Sequence, residues 1–77
     1  MHLEIVTPDK KIFSGEIETA VFPGSEGSFG IQDNHAPIVS TLKKGDITIK
    51  AKGSEQHFSV NGGVVEVNQN KIIVLAE

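Results

Sequence analysis

The chain has 77 residues, a formal net charge of −3 from ten carboxylates against seven lysines and no arginine, and no cysteine, tryptophan or tyrosine. One small domain is expected over residues 1–77, burying only about 60% of the surface its unfolded form exposes. Without cysteine, neither a disulfide nor a thiolate metal site can reinforce so thin a core, which leaves a partner surface as the expected source of added stability. The acidic balance and missing arginine argue against nucleic-acid or anionic-membrane binding. No apolar run approaches the roughly 20 residues that span a bilayer, and no secretory leader is evident, so a soluble, cytosolic-type module is expected.

Taken in order, the chain repeats with period two. Leu3 and Ile5 alternate with His2 and Glu4; Ile17, Thr19 and Val21 with Glu16, Glu18 and Ala20; Ile47, Ile49 and Ala51 with Asp46, Thr48 and Lys50; Phe58 and Val60 with His57 and Ser59. On pleated strands this gives one apolar and one polar face. No segment holds apolar residues at helical spacing for three turns. Turn signals recur at Pro8-Asp9-Lys10, Gly24–Gly27, Lys44-Gly45-Asp46, Lys52-Gly53-Ser54, Asn61-Gly62-Gly63 and Asn68-Gln69-Asn70. Asn61-Gly62 reads as a tight hairpin tolerant of positive φ, and a second hairpin around Asn68–Asn70 joins the two most apolar strands, Val64–Val67 and Lys71–Ala76, expected to lie inside on both faces. The pattern predicts an all-β fold, a small antiparallel β-sandwich or flattened barrel of about eight to ten short strands.

Enzyme signatures are lacking. His2, His35 and His57 are scattered, and Asp33 beside His35 reads as a turn cap next to a packed histidine, not a metal site. Ser25 lacks the first glycine of a nucleophile elbow, so a Ser25/His35/Asp33 triad is disfavoured. The glycines at 24, 27 and 30 lack the lysine and the helix N-terminus of a phosphate loop, and Glu26 and Asp33 would repel phosphate. No catalytic residue, metal or cofactor is expected.

The run from Phe22 to Pro37 stands out as irregular, and irregular segments often carry function. Phe29 and Ile31 are apolar anchors among Glu26, Ser28, Asp33 and Asn34, a composition that fits a protein interface. It fits equally a plug that closes the end of the sandwich. His35 is expected to brace the Ala36-Pro37 turn, partly buried.

The run P-G-S-E-G-S-F-G-I-Q-D-N-H-A-P, followed by Leu42–Ile47 (L-K-K-G-D-I) and Asn61–Val67 (N-G-G-V-V-E-V), closely resembles the epsilon subunit of F-type ATP synthase. The opening L-E-I-V-T-P and I-F-S-G and the closing V-L-A match in the same order, so the resemblance covers the chain end to end. It implies the family's N-terminal β-sandwich and a non-catalytic rotor subunit that joins the central-stalk gamma subunit to the c-ring in proton-driven ATP synthesis. By position, Glu26, Gly27, Ser28 and Phe29 match the loop facing the c-ring, with Phe29 the first candidate anchor, and Thr7, His35 and Ser40 match positions against gamma. The resemblance also implies a peripheral place on the cytoplasmic face of a bacterial inner membrane, or its organelle equivalent, with membrane contact only through the complex and no homo-oligomer. The family's C-terminal helical hairpin has no counterpart in these residues. The rival reading is a free-standing β-sandwich binding module, for which stacking aromatics are scarce.

Overall fold

The computed structural model describes every residue, Met1–Glu77. Nine strands and no helix make up the chain: β1 (His2–Val6), β2 (Lys11–Glu16), β3 (Thr19–Gly24), β4 (Gly27–Ile31), β5 (Ile38–Leu42), β6 (Gly45–Ala51), β7 (Ser54–Val60), β8 (Gly63–Asn68) and β9 (Lys71–Ala76). They form one hydrogen-bonded path, β2-β1-β9-β8-β5-β3-β6-β7, with β4 added to β3. All pairs are antiparallel except β1 with β9. The path folds over at β3–β5, where the register narrows to the single pair Gly24–Leu42. One layer is therefore β2-β1-β9-β8-β5 and the other β4-β3-β6-β7. At the far end the terminal strands meet through side chains: the rings of Phe13 on β2 and Phe58 on β7 lie 5.4 Å apart, tilted by 56°.

Between the layers sit 16 buried apolar residues, including Leu3, Ile5, Val65, Val67, Ile72 and Val74 from the first layer and Ala20, Phe22, Ile31, Ile47, Ile49 and Val60 from the second. Each side chain reaches this core because strand alternation sends every second residue inward. The predicted phase holds in β1, β6 and β7 and fails in β3. There Ala20 and Phe22 point inward and Val21 is 44% exposed. The cause is the two-residue step between layers. Ile17 N–H donates to the carbonyl of Met1 at 2.8 Å and Glu18 N–H to that of Lys50 at 2.7 Å, so β2 ends and the alternation restarts with Phe22, the bulkier group, inside.

Two further expectations change. Asn61-Gly62 is no hairpin, because β7 pairs with β6 and β8 with β5 and β9. It is a crossover between layers, tied to the chain end by Asn61 N–H on the Glu77 carbonyl and Glu77 N–H on the Gly62 carbonyl. Gly63 takes φ 143° there, and a Cβ on it would strike the carbonyl oxygen of Leu75. Nor are β8 and β9 covered on both faces: Val65, Val67, Ile72, Val74 and Ala76 are buried, but Val64 and Leu75 are 38% and 58% exposed. The second layer lies on one side only. The Asn68–Asn70 hairpin is present as expected, with Gln69 and Asn70 at φ 51° and 62°.

Segment 32–37, which leads into β5, is held by the N-terminus. The α-ammonium of Met1 donates to Asp33 Oδ1 at 3.1 Å and to the Ile17 carbonyl at 3.3 Å, with Glu16 Oε1 at 3.5 Å. Asn34 N–H donates to Asn70 Oδ1 at 2.9 Å. The hydrogen bond that the ammonium donates to Asp33 raises its pKa above the usual 8.0, against an opposing contribution from desolvation, and the charges of Asp33 and Glu16 add to the rise. A raised folded-state pKa stabilises fully below pH 8.0, and the contribution disappears as pH climbs through the higher folded value. Asp33→Asn is therefore expected to destabilise the domain at neutral pH and to match the parent in strongly alkaline buffer; urea unfolding across that range checks it, and a constant difference would contradict it.

Candidate functional site

The irregular stretch of the sequence is mostly regular in space. Phe22–Gly24 and Gly27–Ile31 pair as a tight hairpin in register Phe22–Phe29, Pro23–Ser28 and Gly24–Gly27, with Ser25-Glu26 as its turn; apart from that turn, only residues 32–37 lie outside strands. Three bonds fix the hairpin tip to the end of β5: Ser25 N–H donates to the Thr41 carbonyl at 3.0 Å, Lys43 N–H to the Pro23 carbonyl at 2.9 Å, and the Thr41 hydroxyl to the Ser25 hydroxyl at 2.9 Å. Gly24 is required by close approach, since a Cβ would lie 2.8 Å from the Phe29 ring and 2.6 Å from the Gly27 carbonyl oxygen.

This tip gathers the four residues matched to the ring-facing loop. Glu26, Gly27 and Ser28 are exposed. Phe29 is half-buried, its ring 5.6 Å from that of Phe22 and inclined by 32°. Ile31, the other candidate anchor, is fully inside. The plug reading holds for Ile31, whereas Phe29 both supports the hairpin and shows part of its ring to solvent.

The residues matched to gamma are not gathered on one face. Thr7 follows β1 and lies with Val6, Pro8, Val64 and Leu75 around a shallow depression. Ser40 is half-buried and, by alternation, shares the inward side of β5 with Ile38 and Leu42. His35 is exposed, contrary to the expected partial burial, because its segment runs over the surface. Its Nδ1 lies 2.7 Å from the Ala36 carbonyl, the expected brace, and it borders a groove lined by Thr19, Val21, Gly30 and Gln32.

A second surface went unnoticed in the sequence. On the outward side of the first layer, register places Glu4, Ile73, Glu66 and Val39 in one row and Val6, Leu75, Val64 and Thr41 in the next. Val39 is 69% exposed, and Val39, Val64, Ile73 and Leu75 line one shallow apolar pocket with Glu66. Its signal in the sequence is the double-sided apolar character of β8 and β9, which here marks an uncovered face and not burial on both sides.

Groups that could have made a catalytic site are engaged separately. Ser25 is bonded to Thr41, Asp33 to the Met1 ammonium and His35 to its neighbouring carbonyl. No group of three or more histidine and carboxylate side chains is placed to hold a metal ion. No helix is long and apolar enough to cross a membrane. The exposed features described are a polar hairpin tip tied to β5 and an apolar sheet face.

The sequence matches the family described as the ATP synthase delta/epsilon chain β-sandwich domain over residues 1–77. It is 47% identical over all 77 residues to the ATP synthase epsilon chain of Nitratidesulfovibrio vulgaris strain DP4, covering 58% of that relative. It is 38% identical over its whole length to that of Caulobacter vibrioides, covering 90% of it. The chain thus spans under two thirds of the first relative but most of the second. Among solved structures, it superposes with TM-score 0.90 and 21% identity on a chain of the Euglena gracilis mitochondrial ATP synthase OSCP/F1/c-ring assembly, over 96% of this chain and 48% of that one. A chain of the Tetrahymena thermophila mitochondrial ATP synthase central stalk and c-ring matches with TM-score 0.80 and 23% identity, over 97% and 61%. At these identities the two structures attest the fold.

The hairpin geometry separates its residues by mutation. Phe29→Ala is expected to lower unfolding free energy by about 2 kcal/mol, roughly half the cost of truncating a fully buried phenylalanine. Glu26→Ala is expected to change it by less than about 0.5 kcal/mol. Denaturant titration measures both, and equal effects would show that Phe29 carries no packing.

Proposed function

The chain belongs to the β-sandwich family of ATP synthase delta and epsilon chains, and from that premise we propose that it is a non-catalytic central-stalk subunit joining gamma to the membrane c-ring. The observation that carries the proposal is the apolar outer face of β9, β8 and β5, solvent-facing in the isolated chain and built of Val39, Val64, Ile73 and Leu75. A sheet normally turns polar residues outward when nothing covers it, so an apolar second face fits a partner. Thr7 borders this face, and we assign it to gamma. Ser40, on the inward side of β5, and His35, beside the groove of Thr19, Val21 and Gly30, lie off this face, and their assignment to gamma rests on the family resemblance alone.

The hairpin tip, with Glu26, Gly27 and Ser28 exposed over the Phe29 support, is assigned to the polar loops of the c-ring. Its bonds to β5 couple the two contacts mechanically: a force on the tip passes through Thr41 into the strand that presents Val39. In this reading the subunit transmits torque in proton-driven synthesis from the cytoplasmic face of a bacterial inner membrane, without chemistry of its own. Stable docking calls for about 1,200–2,000 Å² of total buried area at each interface.

The two surfaces are separable by substitution. Leu75→Asp places a charge on an exposed apolar position and is expected to weaken binding to the cognate gamma chain at least about ten-fold, or 1.4 kcal/mol, while leaving the thermal midpoint close to the parent's. Ser28→Trp is expected to impair association with the c-ring and to spare gamma. Binding assays with each partner decide, and unimpaired gamma binding by folded Leu75→Asp protein would remove this face from the interface.

A further inference from the structure

Where the apolar outer face borders the polar row of Asn68 and Lys71 stands the carboxylate of Glu66. Register places Glu66 between Val39 of β5 and Ile73 of β9, with Val64 two residues before it on the same side of β8. Glu66 lines the pocket formed by Val39, Val64, Ile73 and Leu75. It makes no ion pair and no side-chain hydrogen bond. The nearest cation by register, Lys71, lies one row further along β9 and lines a neighbouring depression with Glu66 and Asn68, without forming an ion pair with it. By contrast Glu4, the other carboxylate of the row, has His2 at 3.5 Å and Lys11 at 3.9 Å.

A partner that covers the four apolar side chains must also cover Glu66. An ionised carboxylate taken out of water without a counter-charge opposes docking strongly, so a stable cover has to bring a compensating donor. We propose that Glu66 is the specificity-determining residue of this face, and that the gamma segment docking there carries a lysine or arginine, flanked by apolar side chains, whose charged group meets Glu66. The inference rests on the assignment of this face to gamma and adds the chemistry by which gamma is recognised. Apolar contact alone accepts many partners; a single buried carboxylate rejects those that lack the cation. The competing role for such a residue is a gatekeeper, a charge that keeps an apolar sheet face from pairing with others.

Binding of the full chain to its cognate gamma chain separates these cases with Glu66→Gln, Glu66→Leu and Leu75→Asp, each first shown to fold by its thermal midpoint. If Glu66 meets a cation, Glu66→Gln weakens binding about 30-fold or more, because the partner's charge is left unpaired. Added salt then weakens parent binding more steeply than that of Glu66→Gln. Glu66→Leu weakens it too. If Glu66 is a gatekeeper, both Glu66 variants bind as well as the parent or more tightly, with an unaltered salt response, and the inference is overturned while Leu75→Asp still fails to bind. If Leu75→Asp binds normally, the assignment of the face to gamma falls, and the inference with it.

Discussion

One apolar interior has to serve nine strands in a chain of 77 residues. The sheet meets that demand by folding over itself once, at Gly24–Leu42, and by bringing its terminal strands together through Phe13 and Phe58. With 16 buried residues committed to a single core, every strand spends one row of side chains inward and has a second row free. The outer rows of such a small domain are therefore the only place where function can be built. Here they hold a hairpin tied to β5 and an apolar sheet face bordered by the carboxylate of Glu66.

These surfaces are joined through β5. Its C-terminal end receives the hairpin tip through Ser25 and Lys43, and its outward side chain Val39 belongs to the apolar face. A strand hydrogen-bonded along its length to β8 yields little to shear, so displacement at the tip moves the face with it. This fits a part that passes force between two neighbours better than one that changes shape on binding. The N-terminal ammonium adds a second anchor, holding the segment that precedes β5 through Asp33.

Much of the fold could be read from alternation and turn residues, because period-two patterning states directly which side chains share a face. The all-β class, the phase of β1, β6 and β7 and the Gln69-Asn70 hairpin follow from it. What alternation cannot state is where one strand stops and another starts. Ile17-Glu18 hides a change of layer inside an unbroken pattern, and so Val21 and Ala20 exchange places. For the same reason Asn61-Gly62, chemically a hairpin turn, serves a crossover: Gly62 and Gly63 take positive φ, Asn61 does not, and the flanking strands pair elsewhere. For the hairpin tip the residues alone left an interface and a plug level, because exposed polar groups and apolar anchors lie within a few residues of each other; the structure divides them, with Ile31 inside and Glu26, Gly27 and Ser28 exposed. The apolar face was not legible, since Val39, Val64, Ile73 and Leu75 come from three strands and meet only through register. Two-sided apolar strands look identical whether the second face is covered by the chain itself or by another.

In the proposed function, gamma and the ring are met by separate surfaces of one sandwich. Methyl-resolved NMR of the chain during titration with its cognate gamma chain tests this most directly. The methyl signals of Val39, Val64, Ile73 and Leu75 are expected to shift together, while the backbone amides of Glu26, Gly27 and Ser28 stay where they were. Shifts confined to the hairpin tip, with the four methyl groups unmoved, would contradict it.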